Sequence, residues 1–259
     1  MNIARKYFFF DIDGTLTVPA KGAAEVPEST KEALRRLREN GHFTAIATGR
    51  SHGKAIGIMK ELGFDNMVSD GGYGVTLNGE LLGIEPLNRQ DCIDLVHECI
   101  EKDIPWGIQP DNRDTRMVPD ERFMEVTHDQ YMKSEIVKGL DPENYEHIYK
   151  LYIACEYPAE ESLVSLKKLP WCRFMKEYIF VEPADKARGI RRIVDHFGGD
   201  YKDVVVFGDE RNDLSMFSDE WTCIAMGNAV QDLKDQADYV TDAVGEDGIY
   251  NACAHFGWI

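Results

Sequence analysis

Tyr7 to Phe10 is an unbroken run of four apolar side chains, the pattern of a strand buried on both faces. A loop containing Gly, Pro and Ala follows. Pro27-Glu28-Ser29-Thr30 then opens a helix, with Ala33, Leu34 and Leu37 along one face and Gly41 as its stop. Phe43 to Ala47 is a second buried strand. Thr48-Gly49-Arg50 turns into a second helix, with Ala55, Met59 and Leu62 facing inward and Gly63 after it. Two strand–loop–helix units in succession predict a parallel α/β sheet.

The period then changes. Asn78-Gly79 between two short apolar runs predicts a two-residue hairpin over Val75 to Leu82. Beyond Pro86 the pattern gives a helix carrying Cys92, Ile93, Val96 and Ile100, strands at Lys150 to Cys155 and Tyr178 to Val181, and a helix from Glu160 to Lys168. These strands are not regularly separated by helices, so the middle third reads as α+β. The α/β pattern returns with a helix over Lys186 to Phe197, stopped by Gly198. A buried strand at Val204 to Phe207 leads through Gly208-Asp209 into a new helix, and Thr222 to Ala225 is a further strand. The expectation is one α/β domain, residues 1–84 and 182–259, interrupted by an inserted α+β domain, residues 85–181.

Composition narrows the function classes. The chain has 259 residues, 43% hydrophobic and 29% charged, which suits a globular protein with a sizeable core. Its formal charge of −17 repels nucleic acid and anionic membranes, and no Lys/Arg run is long enough to overcome that. The six cysteines include no Cys-x-x-Cys pair; reduced core thiols in a cytoplasmic protein are the expectation. No apolar run approaches a membrane span.

Candidate chemistry lies where strands end. Asp11-Ile12-Asp13-Gly14-Thr15 follows the first buried strand directly, and in open α/β sheets ligands bind beyond the carboxyl ends of strands. Two aspartates so close repel unless a cation lies between them or one is protonated. Oxygen ligands select a hard cation such as Mg²⁺. By itself Asp-x-Asp-Gly also fits a surface turn or part of a calcium loop. A second acidic turn, Gly208-Asp209-Glu210-Arg211-Asn212-Asp213, follows another buried strand. Asp213 alone fits a helix cap, yet two such turns on one sheet can gather the carboxylates a Mg²⁺ site needs. Thr48-Gly49-Arg50 offers a hydroxyl and amides at a helix start, suited to an anion. Lys186, also at a helix start, reads as a solvated charge or as a neutraliser of a phosphoryl group.

Phe9-Phe10-Asp11-Ile12-Asp13-Gly14-Thr15-Leu16 resembles the first motif of the haloacid dehalogenase (HAD) superfamily. Thr48-Gly49-Arg50 resembles the second, Lys186 the third, and Gly208-Asp209-x-x-Asn212-Asp213 the fourth, in the family's order. The long insert, Met226-Gly227-Asn228-Ala229 and Asp247-Gly248 resemble the Cof-type sugar-phosphatase branch. One departure is Asp70-Gly71-Gly72 where branch members often carry Asn-Gly-Ala; an acid there would add negative charge near the substrate entrance.

The resemblance implies a Rossmann-like core (the HAD fold) with an inserted cap that covers the site. It implies a Mg²⁺-dependent phosphatase acting on a small phosphorylated metabolite, a sugar phosphate by branch. Asp11 would be the nucleophile, Asp13 the acid and base, and Thr48 and Lys186 the holders of the phosphoryl group. Gly49, Arg50 and Asn212 would complete substrate binding. Asp11, Asp13 (through its backbone carbonyl), Asp209 and Asp213 would form the metal site. No nucleic-acid or membrane partner is expected, and the chain is expected to be a monomer or small homo-oligomer. A phosphomutase of the same superfamily and a non-catalytic phospho-metabolite binder are the alternatives. In the insert, a loop with Arg113 and Arg116 is the one place to which leaving-group contacts can be assigned; exposed arginines on a polar loop is the plainer reading.

Overall fold

The first apolar run becomes the strand on which the sheet is built. The structure is a computed structural model and describes residues 5–18, 25–173 and 175–259; the Pro/Ala/Gly part of the loop at 19–24 lies outside them. Strand β1 (Tyr7–Phe10) pairs in parallel with β2 (Phe43–Ala47) on one side. Its alternate side chains serve two different cores. Phe8 and Phe10 pack with Ala33, Leu34 and Leu37 of helix α1 (Glu28–Glu39) and with Ala55 and Met59 of α2 (His52–Glu61). Tyr7 and Phe9 belong to a separate cluster on the opposite face. A strand covered on both faces has no polar period, which is why the run is continuous.

The chain divides into two compact units. The first comprises residues 1–50, 55–83 and 185–259, and the second residues 51–54 and 84–184. In the first, β3 (Met67–Ser69) continues the parallel sheet, and β4 (Gly74–Leu77) returns antiparallel. Asn78 and Gly79, both at positive φ, turn the chain into the edge strand β5 (Glu80–Ile84). That is the two-residue turn the Asn-Gly pair predicts.

The second unit carries helix α3 (Arg89–Glu101) and an antiparallel-rich sheet. Its strands are β6 (Trp106–Gln109), β7 (Thr115–Val118), β8 (Lys133–Ile136), β9 (Lys150–Ile153), β10 (Trp171–Cys172) and β11 (Ile179–Val181), in the order β10-β11-β9-β6-β7-β8. A short helix α4 (Arg122–Thr127) follows β7. Two expectations fail here. Ile100 is 55% exposed, and Cys99 takes the inward position. Glu160 to Lys168 is not one α-helix but two 3₁₀ turns, Ala159–Ser162 and Ser165–Lys168. The buried residues Leu163, Leu166 and Leu169 recur every three positions, the 3₁₀ period. The amides of Val164 and Ser165 donate to the Glu98 carboxylate instead of continuing a helix.

Arg116 corrects another expectation. It lies on β7, not in a polar loop, and its side chain is 0% exposed. Strand alternation points it to the same face as Val118, among Phe123, Tyr152 and Tyr178, whose rings lie 4.4, 5.2 and 5.7 Å from its guanidinium carbon. Arg116 Nη2 donates to Asp129 Oδ2 at 2.5 Å, and Nε to Ser134 Oγ at 2.9 Å. Arg113, in contrast, is exposed and paired with Asp111 and Glu135.

The chain then returns to the first unit through α5 (Lys186–His196), β12 (Val204–Gly208), β13 (Thr222–Ala225), α6 (Gln231–Lys234), β14 (Tyr239–Val240) and α7 (Gly248–His255). Helix α5 covers the Tyr7/Phe9 face with Ala187, Ile190, Ile193 and Val194. Strand β12 pairs in parallel with the free side of β1, giving the sheet order β14-β13-β12-β1-β2-β3-β4-β5. After β12 the expected helix is a six-residue 3₁₀ turn, Arg211–Met216. Five of the six cysteines are buried, and none is paired with another. Among the described residues, no helix is long and apolar enough to cross a membrane.

Removing half of the buried Arg116–Asp129 pair leaves the other charge stranded, which costs about 3–5 kcal/mol. Arg116→Ala is therefore expected to lower stability by that order in urea unfolding. Replacing both partners, as Arg116→Met with Asp129→Leu, should recover most of the loss. Equal destabilisation by the single and the double variant would contradict this account.

Candidate active site

Chain order reverses at β1: the path runs to β2 on one side and arrives from β12 on the other. Ligands of open α/β sheets bind at such a switch point. The parallel register sets Phe10 opposite Phe207, and the Asp11 amide donates to the Phe207 carbonyl at 3.0 Å. The two acidic turns predicted from sequence therefore leave adjacent strands side by side.

Three carboxylates converge there. Asp11, Asp209 and Asp213 each offer an oxygen within 4.8 Å of the others, the one such group of potential metal ligands among the described residues. Lys186 lies between two of them. Its ammonium is 1% exposed and donates to Asp11 Oδ1 at 2.7 Å and Asp213 Oδ1 at 2.5 Å. Several contacts fix the start of α5 that carries it. Asp185 caps the helix by accepting from the Arg188 amide, and its own amide donates to the Gly71 carbonyl at 2.8 Å. Gly72 lies against this cap; a Cβ there would come 1.8 Å from the Asp185 carbonyl oxygen. The Lys186 amide donates to Ser215 Oγ.

Asp213 does serve as a cap, and it is also part of the cluster. Its Oδ2 accepts from the amides of Asp209 and Glu210 at 2.8 and 3.0 Å, which locks the second turn while Oδ1 faces Lys186. Neighbouring Asn212 has a buried side-chain oxygen without a protein partner. Asp209 is oriented by residues to which the sequence reading gives no role. Thr15 Oγ1 donates to its Oδ1 at 2.9 Å, and Asn228 Nδ2 to its Oδ2 at 3.3 Å. Motif position marks Thr15 and Asn228, but their shared partner is visible only in three dimensions.

Burial raises the Asp11 carboxyl to about 7, with the Asp213 charge adding to it and Lys186 opposing. Burial also lifts Asp209 to about 8, reinforced by Asp213 and Asp11. For Lys186, burial alone would lower the pKa, but the two adjoining carboxylates outweigh it and hold the ammonium above its ordinary range. One lysine thus faces three acids. The residual negative charge and all-oxygen donor set fit a hard divalent cation such as Mg²⁺.

The Asp13 side chain stands outside this cluster. It is 60% exposed and forms a two-bond pair with Arg50, whose Nε and Nη2 reach its oxygens at 2.8 and 2.5 Å. Thr48 is buried at the end of β2, and its Oγ1 accepts from the Arg50 amide at 3.1 Å. That amide is therefore not open to an anion, contrary to the sequence expectation for this turn. Gly49, the residue between them, has interactions of its own. Asp70 is buried, with φ 51°, and its Oδ2 accepts from Ser69 Oγ.

Comparison with known proteins agrees with this geometry. A family model described as haloacid dehalogenase-like hydrolase matches residues 8–253. YkrA of Bacillus subtilis (strain 168), provisionally named a phosphatase, is 31% identical over 256 residues, covering 97% of this chain and 98% of its own. The crystal structure of a hypothetical protein from Geobacillus kaustophilus HTA426 superposes with a TM-score of 0.85 at 33% identity, covering 99% of this chain and all of the other. The HAD subclass IIB sugar phosphatase BT4131 superposes at 0.78 with 26% identity, covering 98% and 100%. The chain belongs to the haloacid dehalogenase-like hydrolase family. Within it, this is a Cof-type phosphatase, a phosphoric monoester hydrolase.

The raised acids make stability depend on pH. An unfolded aspartate titrates near about 3.9, whereas Asp11 and Asp209 do so at about 7 and about 8. Between those limits the folded, metal-free protein holds protons that the unfolded chain has lost, so its stability falls as pH rises. Chelator-treated protein is expected to show a lower urea midpoint at pH 8 than at pH 5.5, with Mg²⁺ restoring it at pH 8. A midpoint that climbs over this range would refute the assignment.

Proposed function

We propose that this protein is a Mg²⁺-dependent phosphatase that hydrolyses a small phosphorylated metabolite, a sugar phosphate by class, through an aspartyl-phosphate on Asp11. The observation that carries the reading is the Asp11 carboxylate at the end of the central strand, held by the buried Lys186 and next to Asp209. The metabolite class rests on the sequence resemblance and on the likeness to the sugar phosphatase BT4131.

An Asp11 oxygen attacks phosphorus while the bond to the leaving alcohol breaks, and Asp13 gives that alcohol a proton. Asp13 then takes a proton from water as the water attacks the aspartyl-phosphate, freeing inorganic phosphate and regenerating Asp11. To do either, the Asp13 carboxyl leaves Arg50, its partner in the ground state. Lys186 offsets phosphoryl charge as it builds. The Thr48 hydroxyl accepts from an amide and has its own hydrogen to donate to a phosphoryl oxygen. Gly49, beside Thr48 after β2, and Asn212, in the turn after β12, complete the phosphoryl cradle. Asp11, Asp209 and the Asp13 carbonyl would hold the Mg²⁺, with Asp213 fixing the turn that carries Asp209. When bound, the ion supplies positive charge that lets a carboxylate approach a phosphate ester.

The second unit contains none of these groups, and selection of the leaving group is assigned to it. Arg116, buried and paired, supports that unit's fold and not a substrate contact.

The test is phosphate release from a panel of phosphorylated metabolites with Mg²⁺. Asp11→Asn is expected to reduce turnover more than about 10³-fold with unchanged circular dichroism, and chelation should abolish activity until Mg²⁺ is returned. Near-wild-type turnover in Asp11→Asn, or full activity after chelation, would refute the mechanism. Conversion of a sugar phosphate to its isomer without net phosphate release would identify a mutase instead.

A further inference from the structure

The contacts around Asp209 point to a residue pair with no role in the chemistry just described. We infer that Thr15 and Asn228 form a clamp that fixes the Asp209 carboxylate in its metal-binding orientation before the ion arrives. The inference rests on the reading of the acid cluster as a Mg²⁺ site.

Each carboxylate oxygen of Asp209 has its own donor from a different loop. Thr15, 0% exposed, donates from the turn after β1 to Oδ1; Asn228 donates from the turn after β13 to Oδ2. The Asn228 amide cannot be reversed without loss. Its Oδ1 accepts from the Val244 amide at 2.8 Å, and its Nδ2 also donates to the Gly14 carbonyl at 2.9 Å. A backbone amide can only donate and a carbonyl can only accept, so these two partners set which end of the side chain faces Asp209. Gly14 closes the third side. With φ 82° it brings backbone against the carboxylate, and a Cβ there would lie 2.0 Å from Asp209 Oδ2.

Fixing the carboxylate matters because its neighbours repel it. Asp11 and Asp213 each hold a carboxylate oxygen within 4.8 Å of one on Asp209. An unrestrained side chain would turn outward in the metal-free state, and binding would have to restore its rotamer. Hydrogen-bonding partners that orient metal ligands are typically worth 10–100-fold in metal affinity. Asn228 is exposed, so the lower end applies to it.

The experiment measures Mg²⁺ binding to the full chain by titration calorimetry, independent of turnover. Wild type, Thr15→Val, Asn228→Ala and Thr241→Val are compared. Thr241→Val removes a buried hydrogen bond, Thr241 Oγ1 to the Gly248 carbonyl at 2.7 Å, without touching the acid cluster. It controls for general loosening. Asn228→Ala is expected to raise the Mg²⁺ dissociation constant about tenfold and Thr15→Val about 10–100-fold, while Thr241→Val lowers the melting temperature and leaves that constant unchanged. Asn228, being exposed, gives a folded variant even if Thr15→Val does not. Wild-type Mg²⁺ affinity in Asn228→Ala would overturn the clamp alone. A wild type that binds no Mg²⁺ would overturn the metal reading and the clamp together.

Discussion

A buried ammonium between two buried carboxylates sets the terms for the rest of the molecule. Charges this deep are tolerable only when each is paired and oriented, because the desolvation cost otherwise exceeds the attraction. Lys186 meets that condition with Asp11 and Asp213, which ties together three distant stretches of chain. The end of β1, the start of α5 and the turn after β12 must all arrive at one point. The parallel pairing of β1 with β12 supplies two of them; the cap of α5, fastened to Gly71 and Ser215, supplies the third. A small error in any of the three would strand a charge in the core. The arrangement is therefore demanding structurally, and the same closeness leaves Asp11 and Asp209 short of positive charge.

Much of this was legible in the sequence, for a physical reason. Strands buried on both faces must be continuously apolar, so β1, β2 and β12 announce themselves, and the residues just past their ends are placed by the sheet and not by local preference. Asp11 and Asp209 could be singled out on those grounds; Lys186, at the start of a helix, drew notice only beside the two acidic turns. A turn that needs two successive residues at positive φ was equally clear, as at Asn78-Gly79.

What stayed hidden depends on partners that sequence spacing cannot supply. Arg116 is a charged residue, and Asp129, Ser134 and three rings from other stretches of the chain make its burial tolerable. Leu163, Leu166 and Leu169 sit between prolines 158 and 170 in a segment whose amides are drawn to Glu98, so a helical composition yields 3₁₀ turns. Asp13 looked like a member of the acid cluster because it is two residues from Asp11. The turn carries its carboxylate to Arg50 instead. The hydroxyl of Thr15 and the amide of Asn228 matter only through Asp209.

The order of the sheet also governs the timetable of synthesis. Strand β1 leaves the ribosome nearly two hundred residues ahead of its partner β12. At about 5–20 residues per second, one edge of this fully buried strand waits roughly ten to forty seconds for its neighbour. During that interval all six strands of the second unit's sheet, β6 to β11, are made, and they need none of the missing residues to pair among themselves. The inserted unit can be finished while the surrounding one is still incomplete. A chaperone that shields Tyr7–Phe10 would have its longest task here, before the late strand closes the sheet.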